Sequence, residues 1–138
     1  MATLYLTKVL HFAAAHRLAS PALTEAENRA VYGPCYRAHG HNYALEVTVR
    51  GRLRPDGTVM DLRDLERAMR TAVVDLVDHR DLDQDLPALA GAPSTGENLA
   101  VVFRGLLAAA LPPGTLHRVA VVETRNNRFA AGEPGSEP

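Results

Sequence analysis

A single cysteine, Cys35, serves the whole chain, so no internal disulfide can form. The N-terminus lacks the charged region and long apolar core of a secretory signal, and no apolar run approaches the roughly 20 residues that cross a bilayer. The expectation is a cytoplasmic protein with no membrane partner. Charge of one sign is missing too. A formal net charge of -1 leaves no basic excess to neutralise a phosphate backbone, so nucleic-acid binding by charge is not expected. No internal repeat is visible. What remains is 138 residues with 46% hydrophobic and 22% charged side chains, the composition of one ordinary globular domain and too short for two.

Hydrophobic periodicity gives the order of elements. Thr3 to Phe12 reads as a strand with Leu4, Leu6, Leu10 and Phe12 on one face and Lys8 as an interruption. Residues 19 to 38 contain Ser20-Pro21, several charges and Gly33-Pro34, which predicts a loop with a helical turn near Glu25 to Val31. Alternation resumes from His41 to Arg52, where Tyr43, Leu45, Val47 and Val49 share a face with the histidine. Pro55-Asp56-Gly57 is a turn. Asp61 to Val77 sets Leu62, Leu65, Met69, Val73 and Leu76 at helical spacing, with Asp61 suited to cap the N-terminus.

A second helix, from about Thr95 to Leu111, carries a stripe of Leu99, Val102, Phe103, Leu106 and Ala110 and stops at Pro112-Pro113-Gly114. Leu116 to Thr124 reads as a strand, Asn126-Asn127 as a turn and Arg128 to Ala131 as a last short strand. Gly132 to Pro138 has too little apolar area to bury and is expected to be a disordered tail, leaving residues 1–131 as the domain. The succession strand, strand, helix, helix, strand, strand implies an α+β domain, an antiparallel sheet covered on one face by two helices.

Chemistry concentrates around the cysteine. His39 and His41 are two residues apart, so on an extended segment both rings leave by one face, and His16 ends an apolar run that a hairpin would bring beside them. Three imidazoles are a zinc-binding set that leaves a fourth position open, as catalytic zinc requires. Paired histidines also occur on strands without metal, and Cys35 reads equally as a buried apolar residue or a fourth, structural ligand. Asp78-His79 follows the first helix, where a carboxylate can orient a histidine for proton transfer or simply sit at a solvated helix end. Glu123 shares a strand face with Val119 and Val121. It either ends the strand in water or faces a pocket, where it could accept two parallel hydrogen bonds from a guanidine-like ring edge. Ser94-Thr95-Gly96-Glu97 fits a capping box. His11 and His117 stand in strands without partner motifs and read as non-catalytic.

Taken together, Phe12-Ala13-Ala14-Ala15-His16-Arg17-Leu18, Cys35 with His39-Gly40-His41-Asn42-Tyr43, Val59-Met60-Asp61-Leu62, Asp78-His79, Thr95-Gly96-Glu97-Asn98 and Glu123-Thr124 resemble the 6-pyruvoyltetrahydropterin synthase family, which includes the 6-carboxytetrahydropterin synthases of the queuosine (7-deazaguanine) pathway. The resemblance runs from about residue 4 to residue 130.

It implies a tunnelling fold, in which antiparallel four-stranded sheets with two helices on one side join about a threefold axis into a barrel, and two trimers stack into a hexamer with active sites at subunit interfaces. It implies zinc on His16, His39 and His41, Cys35 as general base, Asp78 and His79 as a proton relay, and Glu123 as anchor of a pterin ring in a pocket also lined by Thr95 and Glu97. The implied substrate is 7,8-dihydroneopterin triphosphate. The three residues between Cys35 and His39 resemble the queuosine-pathway enzymes, whereas the animal biopterin enzymes have five. Leu111-Pro112-Pro113-Gly114, Asp81-Leu82-Asp83 and Glu123-Thr124-Arg125-Asn126-Asn127 resemble the pyruvoyl branch. Weight on the active-site spacing makes the 6-carboxy product the expectation, with the 6-pyruvoyl product as the alternative and an inactive zinc- or pterin-binding protein of the same fold as a third reading. Arg17, Arg37 and Arg80 are candidates for phosphate contacts through their nearness to these motifs.

Overall fold

The computed structural model describes residues 2–133. Strand β1 (Leu4–His16) pairs antiparallel along its whole length with β2 (His39–Gly51), β2 with β4 (Leu116–Thr124), and β4 with β5 (Asn127–Gly132). A two-residue strand, β3 (Arg80–Asp81), lies parallel to Ala14 and Ala15 at the other edge, giving the order β3-β1-β2-β4-β5. The four antiparallel strands and the helices on one face are as predicted; the fifth strand is additional.

The first strand runs four residues beyond the predicted end at Phe12. Ala13, Ala14 and Ala15 are strong helix formers by intrinsic propensity, but pairing with β2 on one side and β3 on the other holds their backbone extended. Tertiary hydrogen bonding outweighs a preference of a few tenths of a kcal/mol per residue.

Between β1 and β2 lie α1 (Glu25–Tyr32) and a 3-10 turn (Gly33–Tyr36). Thr24 and Glu27 close a reciprocal capping box at the start of α1. The first long helix comprises α2 (Leu62–Met69), a π-turn (Arg70–Val74) and α3 (Asp75–Val77), capped by Asp61 as expected. Its stripe departs from the prediction. Leu65, Met69 and Val73 are buried, but Leu62, in the first turn, is 50% exposed, and after Val73 Leu76 is 43% exposed and Val77 takes the core position. The wider π-turn adds a residue to the turn and rotates everything after it by one position.

After β3 come α4 (Leu82–Asp85), a 3-10 turn (Pro87–Leu89) and α5 (Gly96–Ala110). The hydrophobic core lies between the helices and one sheet face: Phe12, Tyr43, Leu45, Val47, Val119 and Val121 meet Leu65, Met69, Leu99, Phe103 and Leu107. Phe12 stacks on Tyr43 with centroids 4.8 Å apart and meets Phe103 edge-on.

Gly132 ends β5 opposite Arg118, and Glu133 lies 2.9 Å from Arg50. The first two residues of the expected tail are therefore ordered, held by a ladder partner and a cation. Pro134 to Pro138 lie outside the described residues.

Gly96 opens α5 against the ring of Phe129 on β5, and a Cβ there would fall 2.0 Å from a ring carbon. Gly96→Ala is expected to destabilise the protein by about 1–3 kcal/mol through overpacking. Urea unfolding checks this, and adding Phe129→Ala to the same chain should make the Gly96→Ala step cost less.

Candidate active site

The β1–β2 register builds the centre of the site. His16 is Cα-paired with His39, and His41, two residues further along the same face, is paired with Ala14. The small partner leaves room for the ring. The three histidines each offer a nitrogen within 4.8 Å of the others, a spacing from which one ion with bonds of about 2.0–2.1 Å can gather all three. Cys35 does not belong to this cluster. It is exposed on the 3-10 turn, which excludes the buried apolar reading and leaves it outside the ligand set.

Backbone carbonyls fix two of the rings. His16 Nδ1 lies 2.9 Å from the Ser94 carbonyl oxygen and His39 Nδ1 lies 2.6 Å from that of Arg37. A carbonyl only accepts, so each Nδ1 carries the proton and each Nε2 presents a lone pair. This is the tautomer that an outer-shell acceptor sets for a metal-binding imidazole. Burial is the largest cause holding both His16 and His41 below the ordinary histidine pKa, which keeps them neutral at pH 7. His41 Nε2 is buried without a hydrogen-bond partner. A buried ring nitrogen without a partner is costly, and a cation between the rings, taking its lone pair, would satisfy it. The residues present fit a divalent metal of the zinc type.

Glu123 stands on this face of β4. Its Oε1 lies 3.6 Å from both His16 Nε2 and His41 Nε2, with its side chain 17% exposed. The strand-end-in-water reading is thereby excluded: the carboxylate faces the histidines. Tyr43, whose hydroxyl is 3.4 Å from His16 Nε2, forms the floor, and burial pushes its pKa up so that it stays protonated.

The Asp78-His79 pair is built by Ala13. The Ala13 N–H donates to Asp78 Oδ1 at 2.9 Å and the Ala13 carbonyl accepts from the His79 N–H at 2.6 Å. Asp78 Oδ1 in turn lies 3.0 Å from His79 Nδ1. The Ala13 amide, ahead of His79, holds the Asp78 carboxyl below its ordinary pKa. His79 has a φ of 60°, a left-handed conformation that costs a non-glycine residue about 1–3 kcal/mol and persists where surrounding bonds impose it. Its ring is 82% exposed and lines an open cleft of about 530 Å³ together with His41, Asn42, Arg80 and the three alanines of β1.

The capping box expected at Ser94 and Glu97 is absent. Thr95 caps α5 through Asn98, and Glu97 is an exposed acid in the first turn. Ser94 is instead fully buried against His16, its hydroxyl 3.2 Å from Nδ1. Ser94, Tyr43 and the backbone of Ala13 are the contributors that the sequence pattern did not single out. His117 packs on Tyr5 and lies 3.9 Å from Glu133.

Comparison with known proteins agrees in extent. The family model described as 6-pyruvoyl tetrahydropterin synthase matches residues 5–134. The human 6-pyruvoyl tetrahydrobiopterin synthase is 44% identical over 121 residues, 86% of this chain and 83% of that protein. A probable 6-carboxy-5,6,7,8-tetrahydropterin synthase of Halobacterium salinarum is 34% identical over 115 residues, 72% of this chain and 73% of that protein. The solved Caenorhabditis elegans 6-pyruvoyl tetrahydropterin synthase superposes with a TM-score of 0.91 at 37% identity, covering 96% of this chain and 97% of that one.

The depressed histidines make stability depend on pH. A histidine whose folded pKa lies below 6.5 binds fewer protons folded than unfolded, so stability declines as pH falls through 6.5 toward the folded value. Urea unfolding of the metal-free protein is expected to show this decline between neutral and mildly acidic pH, and His41→Gln should make the slope shallower. An unchanged slope in that variant would show that His41 does not contribute.

Proposed function

The chain belongs to the 6-pyruvoyl tetrahydropterin synthase family, and from that membership we propose that it is a zinc-dependent lyase converting 7,8-dihydroneopterin triphosphate to 6-pyruvoyltetrahydropterin. The observation that carries the reading is the trio of imidazoles with ligand nitrogens within 4.8 Å of one another, two of them held with Nδ1 protonated against a backbone carbonyl, faced by the Glu123 carboxylate. For the product, relatives named as 6-pyruvoyl enzymes match at 38–44% identity over 86–91% of the chain, those named as 6-carboxy enzymes at 31–34% over 67–72%. This favours the pyruvoyl branch over the 6-carboxy product expected from spacing. The three-residue separation of Cys35 and His39 still favours the 6-carboxy reading, which stands second.

Zinc on His16, His39 and His41 would polarise the side-chain oxygens of the substrate and so acidify the adjacent C–H bonds. Cys35, reactive as its thiolate, takes the carbon-bound proton. His79, oriented by Asp78, delivers and accepts protons as the side chain rearranges and triphosphate leaves. Glu123 accepts two N–H bonds from the pterin edge, with Thr95 and Glu97 on the pocket wall. Assembly supplies the rest. Among the described residues, β1 from Leu4 to Phe12 has β2 as its one strand partner, and β5 is the opposite edge. Exposed strand edges call for a partner, which supports closure of a trimeric barrel and a hexamer, with the cysteine and relay of one site drawn from different subunits.

The test is mass spectrometry of the products formed from 7,8-dihydroneopterin triphosphate by the zinc-loaded protein. The 6-pyruvoyl compound is expected; 6-carboxytetrahydropterin would establish the second reading, and no turnover would overturn both. Cys35→Ala is expected to lower kcat by at least about 100-fold, the scale of a lost general base, while leaving the zinc content unchanged.

A further inference from the structure

We propose that Arg17, stacked on Tyr36, and Arg37, in the pocket that Tyr36 also lines, form the site that takes the triphosphate of the substrate. This rests on the dihydroneopterin triphosphate reading above. The Arg17 guanidinium lies over the Tyr36 ring, 4.2 Å from its centroid, and Arg29 lies 5.1 Å from the same centroid. Arg29 is engaged by Glu25 at 2.8 Å. Among the described residues, no carboxylate lies within 4.0 Å of the guanidinium of Arg17 or Arg37, Glu25 acting on Arg17 only at longer range, and both residues are exposed. Arg29, Tyr36 and Arg37 line a shallow pocket with Gly33 and Pro34.

Stacking on an aromatic ring occupies the face of a guanidinium and leaves its edge donors directed outward. That fork matches adjacent phosphate oxygens bidentately, which a lysine ammonium cannot do. Arg17 and the partly neutralised Arg29 repel one another across a single ring, and Arg37 adds a further cation in the adjoining pocket. A polyanion removes that repulsion, so the arrangement binds charge more strongly than any one arginine on an open surface.

The location is set by the chain. Arg17 follows His16, Tyr36 follows Cys35, and the Arg37 carbonyl orients His39. The Leu18 N–H donates to the Cys35 carbonyl at 2.7 Å, tying the two segments together. A substrate whose inner side-chain oxygens sit at the three imidazoles carries its terminal triphosphate outward past Cys35, onto this surface.

Tripolyphosphate binding to the zinc-loaded protein, measured by calorimetry, tests the assignment alongside binding of neopterin, which lacks the phosphates. Combining Arg17→Gln with Arg37→Gln is expected to weaken tripolyphosphate at least tenfold and leave neopterin unchanged. Arg63→Gln, remote on α2, should change neither. Tyr36→Leu, which keeps both cations but removes the ring beneath Arg17, should fall between, and decides the matter if the double variant fails to fold. Unchanged tripolyphosphate affinity, or equal loss of both ligands, would overturn the proposal. A wild-type protein that binds tripolyphosphate through these arginines yet does not turn over dihydroneopterin triphosphate would leave the phosphate site standing and remove the substrate reading.

Discussion

The register between β1 and β2 is the constraint on which the rest depends. His16 meets His39 across the ladder, and Phe12 meets Tyr43 in the same alignment. Side chains alternate with a period of two, so a slip of one residue would turn His16, Phe12 and Leu10 to the opposite face together. Core and site are therefore specified by one pairing. The apolar side chains that make the correct register favourable are the ones that deliver the imidazoles to a common point, and the same alignment brings Ala14 beneath His41.

Setting three imidazoles, one buried and two half-buried, at the end of a core is unfavourable by itself, since neutral rings still need hydrogen-bond partners. The fold answers largely with main chain. Carbonyls of Ser94 and Arg37 accept from His16 and His39, and the Ala13 amide serves Asp78. Ala13 sits on a paired strand, Ser94 directly precedes the N-cap of α5 and Arg37 ends the 3-10 turn, so each position is set by an adjoining element. Such groups are held more rigidly than side-chain donors on loops, which is what a precise site requires.

Much of this was legible in the residues. Alternation from Tyr43 to Val49 and the helical stripe from Leu65 to Val73 gave the layers, and the spacing of His39 and His41 gave the site. The departures have particular causes. Ala13 to Ala15 carry no alternation in polarity, so only pairing on both sides reveals them as strand. The π-turn leaves no mark in composition, yet it exchanges Leu76 for Val77 in the core. Ser94 has the chemistry of a cap, and its displacement to His16 depends on a contact 78 residues away in the chain. Thr24 and Glu27, three apart, did carry the capping signal at α1; the surrounding polar segment masked it.

Ala13 joins β1 to the Asp78-His79 pair entirely through its own amide and carbonyl, and its methyl group takes no part in either bond. Mechanical coupling between the strand that ends in His16 and the residue pair beyond it is thus written into main chain alone. Every side-chain replacement at this position except proline keeps both peptide groups, so an ordinary mutational scan would pass over the link in silence. Chemistry that edits the backbone itself, such as an amide-to-ester exchange at residue 13, reaches it without the ring strain that proline brings.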